Sequence, residues 1–500
     1  MEEKDKDQLK KLFSRPDWDE ETIIEADKIV SRIAEEYLGL DTYPNQFEII
    51  SSEQMLDAYS LIGLPISYSH WKFGKDFVMN QNNYKKGRMG LAYELVINSD
   101  PCISYNMEDN TTCLMVLVLA HAAYGHNHFF KNNYLFKQWT QADSIIDYMV
   151  FAKNFVAKCE EKYGYDEVEQ VLDSCHALMN YGVDKYKKPK KLSAQEEQER
   201  LKKKIEDDQI FLDDIWRTLP KDKREKMQGK RFPESPEENI LYFIEKNSPK
   251  LKGWQRELIR IVRKTAQYFY PQGQSKVANE GCATFVHYEI VNKMHEEAYL
   301  AEDFMLEFFH HHSNVIFQPG FDSKFYSGLN PYTLGFSIFS DLKRMSLDPT
   351  EEDLKWFPDI AGKGNWAETF RYIVENFKDD SLVLQYLSPK VIRDLKLFSI
   401  SDEQGAKFYE VDAIHDEYGY KKIRQNLSES YNRSRYVPDI QVYEVDVYGD
   451  RTLTLEHTPV NGKRLDQASM QKVLPHVEYL WGFPVKMVED GKEIGKSTSF

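Results

Sequence analysis

The chain is short of cysteine, of positive charge and of long apolar runs, and each shortage removes a class of protein. Only five cysteines occur in 500 residues (Cys102, Cys113, Cys159, Cys175 and Cys282), and no two fall at a short paired spacing. That argues against a disulfide scaffold or a thiolate zinc knuckle, and it fits a reducing, cytoplasmic setting. Acidic residues outnumber basic ones, 81 to 65, for a formal net charge of −16. Nucleic acid is disfavoured as a partner, because its phosphates bind through neutralising Lys and Arg. Solubility, or a basic partner, is favoured instead. No apolar run reaches the roughly 20 residues of a membrane helix. The best stretch, Cys113 to Ala123, is too short and carries His121, so no membrane insertion is expected. The charged start, Met1-Glu-Glu-Lys-Asp-Lys-Asp7, reads as no signal peptide. A Gly-x-Ser-x-Gly elbow is missing, and Gly63, Gly74, Gly87 and Gly90 have neither the spacing nor the context of a nucleotide-binding loop.

What is present is a long chain with 14% aromatic residues, enough for a large core and more than one domain. Apolar positions at helical spacing predict helices over Asp19 to Tyr37 and over residues 49 to 62, 109 to 125, 141 to 163, 253 to 270 and 278 to 312. Leu91 to Ile97 reads as a strand-like or buried segment. Residues 185 to 232 change character, to lysine and glutamate with few aromatics, and predict a solvated excursion over about 187–232. The tail changes again. Lys407 to Ile414, Ile440 to Val447, Leu453 to His457 and Pro484 to Val488 read as strands, with helices over His415 to Tyr431 and Leu465 to Trp481. The fold class expected is therefore α+β. A large, mostly helical domain would span residues 1–397, and a small ferredoxin-like β-α-β-β-α-β domain would span 398–500.

The chemistry concentrates in two runs. The first, His121-Ala-Ala-Tyr-Gly-His126-Asn-His128, sets three histidines at the end of an apolar stretch. Imidazole costs free energy to bury, titrates near neutral pH and is a common metal ligand. The second contains Glu280-Gly-Cys-Ala-Thr-Phe-Val-His287. On an ideal α-helix His121 and His126 point about 140° apart, so a shared ion requires a break or bulge, and Gly125 is where the chain would give. His121 and His128 share a face but sit about 10.5 Å apart along the axis. Glu280 and His287 also share a face. The natural ligand set for a divalent ion, zinc foremost, is His121, His126, Glu280 and His287, one or two from each helix. The alternative is a set of buried histidines hydrogen-bonded to backbone and carboxylates. Candidate catalytic residues are Glu94 and Glu108, with Glu289 as a further carboxylate, and His70 in the aromatic loop as a pocket-lining group. In His310-His-His312, consecutive residues fan about 100° apart on a helix, so at most one could face a shared site. Cys282 reads as a small buried hydrophobe.

These runs occur with Leu64-Pro-Ile-Ser-Tyr68-Ser-His70-Trp-Lys-Phe-Gly74, Gly90-Leu-Ala-Tyr-Glu94, Asn330-Pro-Tyr-Thr-Leu-Gly-Phe336, Trp356-Phe-Pro-Asp-Ile-Ala361 and Leu387-Ser-Pro-Lys390. Together they resemble the SpoVR family, named for stage V sporulation protein R, over nearly the whole chain. In spore formers the resemblance implies a link to the spore cortex, a peptidoglycan layer. The chain looks more like the branch found in bacteria that do not sporulate. For that branch the resemblance implies association with a PrkA-type serine kinase and a von Willebrand-type protein in starvation or stress responses. There is also a likeness to thermolysin-type metallopeptidases whose third ligand is a glutamate, carried by Glu280-Gly-Cys-Ala283. Those enzymes place a general-base glutamate directly after the first histidine; here that position is Ala122.

Two functional readings follow. One is a cytoplasmic metal-dependent hydrolase, amidase- or peptidase-like, in which a carboxylate from elsewhere than position 122 handles the proton. The other is a non-enzymatic partner of the kinase system. The composition of residues 187–210 supports a direct test: replacing that stretch by a short Gly/Ser linker should move the melting temperature by less than about 3 °C, the shift expected of roughly 1 kcal/mol in a large domain. A collapse of the thermal transition would show that it packs.

Overall fold

The computed structural model describes residues 3–60, 66–71, 75, 78–79, 94–184, 231–233, 235–320, 322–398, 400–401, 410–411, 416–433, 436–460 and 462–497. Most of the 187–232 excursion, much of the aromatic loop after Trp71, residues 91–93 of the expected strand and most of the 407–414 strand lie outside these residues. The chain forms two compact units, each from two stretches. The first comprises Met1–Lys158 and Tyr268–Arg433, and the second Cys159–Gln267 and Ser434–Phe500. This division differs from a cut at 397/398, and packing explains why. The helix Glu417–Tyr431 lies on the helix Asp379–Tyr386, and the Ser428 hydroxyl donates to the Asp380 carbonyl at 2.8 Å. Residues up to Arg433 thereby stay with the first unit. In the second unit the Ser248 hydroxyl donates to the Trp481 carbonyl at 3.0 Å, and Phe243 stacks on Trp481. The helix Ile240–Asn247 is thus tied to the C-terminal helix Gln467–Trp481.

In the first unit, the helix Glu20–Glu36 starts as expected at Asp19. The Asp19 carboxylate accepts the Thr22 amide, and the Thr22 hydroxyl faces back to the Asp19 amide. Its buried face, Ala26, Ile29, Val30, Ile33 and Ala34, has the predicted period. Residues 49–62 divide into a strand, Asn45–Ile50, and a helix, Ser52–Ser60. The strand is the outer member of a three-stranded sheet. It runs parallel to Cys102–Met107, which in turn pairs antiparallel with Glu94–Ile97. Residues 278–312 form two helices, Lys276–Glu296 and Glu302–Val315, separated where Ala298 takes φ 66°. Among the described residues no helix is long and apolar enough to cross a membrane.

The axis of this unit is the helix Lys276–Glu296, which packs against Glu20–Glu36, Pro331–Leu347 and Leu119–His126. Thirteen of its residues are buried, so it behaves as a core helix with no solvent stripe. Its neighbours approach closely because glycines face it. A Cβ on Gly281 would sit 2.6 Å from the Gly335 carbonyl carbon, and one on Gly125 would sit 2.6 Å from Ala283 Cα.

In the second unit, strands Asp439–Val445, Leu453–Thr458, Val485–Glu489 and Lys492–Lys496 form one sheet in sequence order. The outer pairs are antiparallel. The central pair, 453–458 with 485–489, is parallel and is connected through the helix Gln467–Trp481. The α+β class and a C-terminal sheet with its helix are as the sequence predicts. The strand at Glu410–Val411, however, pairs with Ile400–Ser401. The sheet therefore takes its fourth strand from 492–496, and its order is β-β-α-β-β.

The glycine contacts predict that Gly281→Ala or Gly335→Ala will destabilise by about 1–3 kcal/mol or more, since backbone cannot swing aside as a flexible side chain can. Gly253→Ala, where a Cβ meets nothing within 4 Å, should be neutral or mildly stabilising. Denaturant midpoints of the three variants check the contrast.

Candidate metal centre

The helix that begins at Thr112 does not break at Gly125. From Leu119 to His126 its hydrogen bonds widen to the π pattern, and the Asn127 amide donates to Ala122, five residues back. Five residues then make close to one turn, so His121 and His126 fall on the same face with ring centroids 4.7 Å apart. This is the bulge that a shared face requires, spread over Leu119 to His126 and not a break at Gly125. Gly125 is needed because it touches Ala283, and its bare Cα lets the π segment lie against the Glu280 helix.

Three donor atoms meet there. The outer nitrogens (Nε2) of His121 and His126 and a carboxylate oxygen of Glu280 all lie within 4.8 Å of one another. Glu280 Oε2 is 3.4 Å from His126 Nε2 and 3.9 Å from His121 Nε2. It is buried and accepts no hydrogen bond. Glu94, the first residue of the edge strand Glu94–Ile97 of the three-stranded sheet, brings Oε1 to 3.8 Å from His121 Nε2. The inner nitrogens are engaged elsewhere. His126 Nδ1 is 2.9 Å from Asn279 Oδ1, and His121 Nδ1 is 2.9 Å from His287 Nδ1. Phe130 stacks on the His126 ring and Tyr332 on the His121 ring.

The electrostatics separate the two carboxylates. Burial raises the Glu94 carboxyl above the usual range against the pull of His121 and His126. Burial also opposes the charge on Glu280, but there His126 and His121 outweigh it and hold the carboxyl well below that range. Burial pulls the His126 imidazole down, and the Glu280 charge more than compensates, so it is raised. The pocket thus holds one firmly ionised carboxylate and one pushed toward its neutral form.

His287, expected among the ligands, does not reach the group with a free nitrogen. Its Nδ1 faces His121 and its Nε2 is 2.9 Å from His312 Nδ1. Glu108 is exposed in the turn after Met107. Glu289 is paired with Lys343 at 2.7 Å and accepts the Tyr37 hydroxyl. His70 is buried with its ring 5.5 Å from that of Trp71. None of these last three adds an atom to the cluster. His128 faces Asp41, whose amide donates to its Nδ1 at 3.0 Å. Cys282 is buried, and burial raises its thiol far from the thiolate form. In the histidine run, one of the three turns inward: His312 is buried, His310 is exposed, and His311 pairs with Glu307 at 3.5 Å. Sequence reasoning left open which of His310 to His312 could face a shared site and gave Asn279 and Tyr332 no part in holding the imidazoles. For His312 a signal existed, since it follows the buried Phe308 at i+4 on the apolar face of its helix.

Residues 17–436 match the family model described as SpoVR like protein, and residues 438–492 match that of the SpoVR-like C-terminal domain. The chain belongs to the SpoVR family. It is also 53% identical, over 97% of its length and 95% of the relative's, to a protein of Escherichia coli (strain K12) described as "Uncharacterized protein YcgB". No solved structure matches. The first SpoVR match contains Glu94, His121, His126, Glu280, His287 and His312. The boundary between the two matches, at 436–438, falls close to the break between compact units at 433/434.

The Glu280 helix is anchored at its start by Asp379, whose buried carboxyl accepts the Ala278 amide at 2.9 Å. Burial outweighs the helix amides and raises this carboxyl to about 7. A folded-state value above the unfolded one, near 3.9, gives stability that is full below the unfolded value and is lost as the pH rises through about 7. Asp379→Asn, which keeps an acceptor and removes the titration, should flatten the melting temperature between pH 4 and 7 relative to the parent. Thermal melts across that window check it; parallel curves would refute the assignment.

Proposed function

We propose that the first unit carries a mononuclear divalent-metal centre, held by His121, His126 and Glu280, and that it supports hydrolysis of an amide-type bond with Glu94 as the proton carrier. The observation that supports this most is Glu280 Oε2: a buried carboxylate oxygen that accepts no hydrogen bond, 3.4 and 3.9 Å from two imidazole nitrogens whose opposite ring atoms are already engaged. A buried charge left this way is costly unless a cation completes it. The donor set, two imidazoles and one carboxylate, is that of zinc sites which keep an open position. What such an ion supplies is Lewis acidity and a water ionised near neutral pH.

The chain's own residues supply the rest. Asn279 and His287 hold the two imidazoles by their inner nitrogens, so that the outer ones converge. Glu94 does not duplicate the Glu280 role. Its raised carboxyl is better suited than an ordinary carboxylate to take up a proton and return it. It stands where the absence of a glutamate at position 122 leaves a vacancy in the chemistry, and it enters from a strand instead of from the histidine helix.

Metal analysis of the purified protein is the direct test. His126→Ala and Glu280→Gln should each lower zinc affinity at least tenfold, the scale on which even outer partners of ligands act, while His311→Ala should leave it unchanged. Glu94→Gln should retain zinc at the parent's stoichiometry, because it removes a proton carrier and not a ligand. Equal zinc retention in all four variants would end the metal reading.

A further inference from the structure

Beyond the three donors, the pocket continues as a chain of imidazoles: His121 Nδ1 to His287 Nδ1 at 2.9 Å, and His287 Nε2 to His312 Nδ1 at 2.9 Å. All three rings are buried. They come from three separate helical elements, 119–126, 276–296 and 302–315. Aromatic rings enclose the far end, with Phe308, Tyr288 and Phe336 at centroid distances of 5.8, 4.9 and 4.8 Å from His312. No carboxylate pairs with His287 or His312 among the hydrogen bonds and ion pairs of the described residues.

An N···N hydrogen bond needs one N–H and one lone pair, and a neutral imidazole has one of each. Three neutral rings joined in series therefore have two arrangements. In one, His312 Nδ1–H donates to His287 Nε2, His287 Nδ1–H donates to His121 Nδ1, and His121 Nε2–H points toward Glu94 and Glu280. In the other every donor is reversed: His121 Nδ1–H donates to His287, His287 Nε2–H donates to His312, and His312 carries its hydrogen on Nε2. Only the second leaves a lone pair on His121 Nε2.

We propose that His287 and His312 are positioning residues that fix the tautomer of His121, and that the three rings reverse together when a cation takes the His121 Nε2 lone pair. This rests on the metal-centre reading for its trigger, but the ordered chain itself does not. The reversal balances. One proton leaves His121 Nε2 to water, two protons cross the two N···N bonds, and one from water joins His312 Nε2. Each ring holds one proton before and after. A single ring flip or a mixed population would break a buried hydrogen bond, at the cost of an unsatisfied polar group.

The test is ¹⁵N NMR of the histidine side chains in the full-length protein, without metal and with one equivalent of zinc. Without metal, His287 and His312 should each appear as one neutral tautomer protonated on Nδ1. With zinc, both should shift to the Nε2–H form. Zinc affinity then separates positioning from packing: His312→Phe should weaken it about tenfold to a hundredfold, and His312→Asn, whose amide oxygen accepts in place of Nδ1, should restore it to within a few fold. Mixed tautomers in the metal-free protein would overturn the ordered chain, whether or not zinc binds. An ordered chain with no zinc uptake would overturn the metal reading and the reversal and leave the ordering standing. Unchanged zinc affinity in His312→Phe would overturn the positioning role.

Discussion

The constraint on which the first unit depends is the contact of bare backbone between helices. Gly125 lies on Ala283, and Gly281 lies on Gly335, at separations that no Cβ would permit. These contacts fix how far the π segment and the helix Pro331–Leu347 stand from the Glu280 helix. The same three elements carry His121, His126, Glu280 and Tyr332. Small residues let helices approach without interdigitating side chains, and the polar groups on either side of the contact then fall within a few ångströms of each other. A larger residue at any of these positions would open the pocket before it touched a single donor atom.

Placing charge in such a contact has consequences. Glu94 and Glu280 come from a strand edge and a core helix and converge on the same two imidazoles. Two carboxylates in one buried pocket cannot both be stabilised by two rings, and their environments pull them apart. Both are desolvated and both feel the rings; at Glu280 the rings prevail, and at Glu94 the desolvation does. Divergence of this kind between neighbouring acids is what acid–base chemistry needs. The aromatic surroundings of His287 and His312 offer no charge to compensate a protonated ring, which keeps the outer imidazoles neutral; burial holds His312 down at about 4. The neutral state is what allows these rings to bond nitrogen to nitrogen.

The second unit is built on different terms. Its four-stranded sheet carries a single helical crossover, and its buried acid Glu245 is met by Arg260 and Arg263 at 3.0 and 3.2 Å. Among the described residues the side-chain partners of the Glu245 carboxylate are cations, so it is structurally satisfied. Glu280, by contrast, is left facing imidazoles with an unmet oxygen. The separation of the two family matches at residues 436–438 coincides with the point where the chain leaves the helical unit for the last time.

The sequence by itself determined several of the helices and the strands of the tail. Local period predicted the helix from Asp19, and alternation predicted the strands at 440–447 and 453–457, because those signals are carried by neighbouring residues. It also singled out His121, His126 and Glu280, since buried polar groups in apolar runs are legible one segment at a time. Three things were left to the tertiary structure. Whether five-residue spacing shares a face depends on the π widening, which owes more to what Gly125 packs against than to the propensity of 119–126. Whether Glu94 or Glu108 joins the site depends on the pairing of Glu94–Ile97 with Cys102–Met107, and of that strand with Asn45–Ile50 more than fifty residues earlier. Which unit 159–267 and 417–431 belong to depends on long-range packing that local patterns do not encode. His287 shows the limit most plainly. Its spacing from Glu280 puts it on the right face of the helix, and only the position of His312 on another helix turns it from a ligand into the middle ring of a chain.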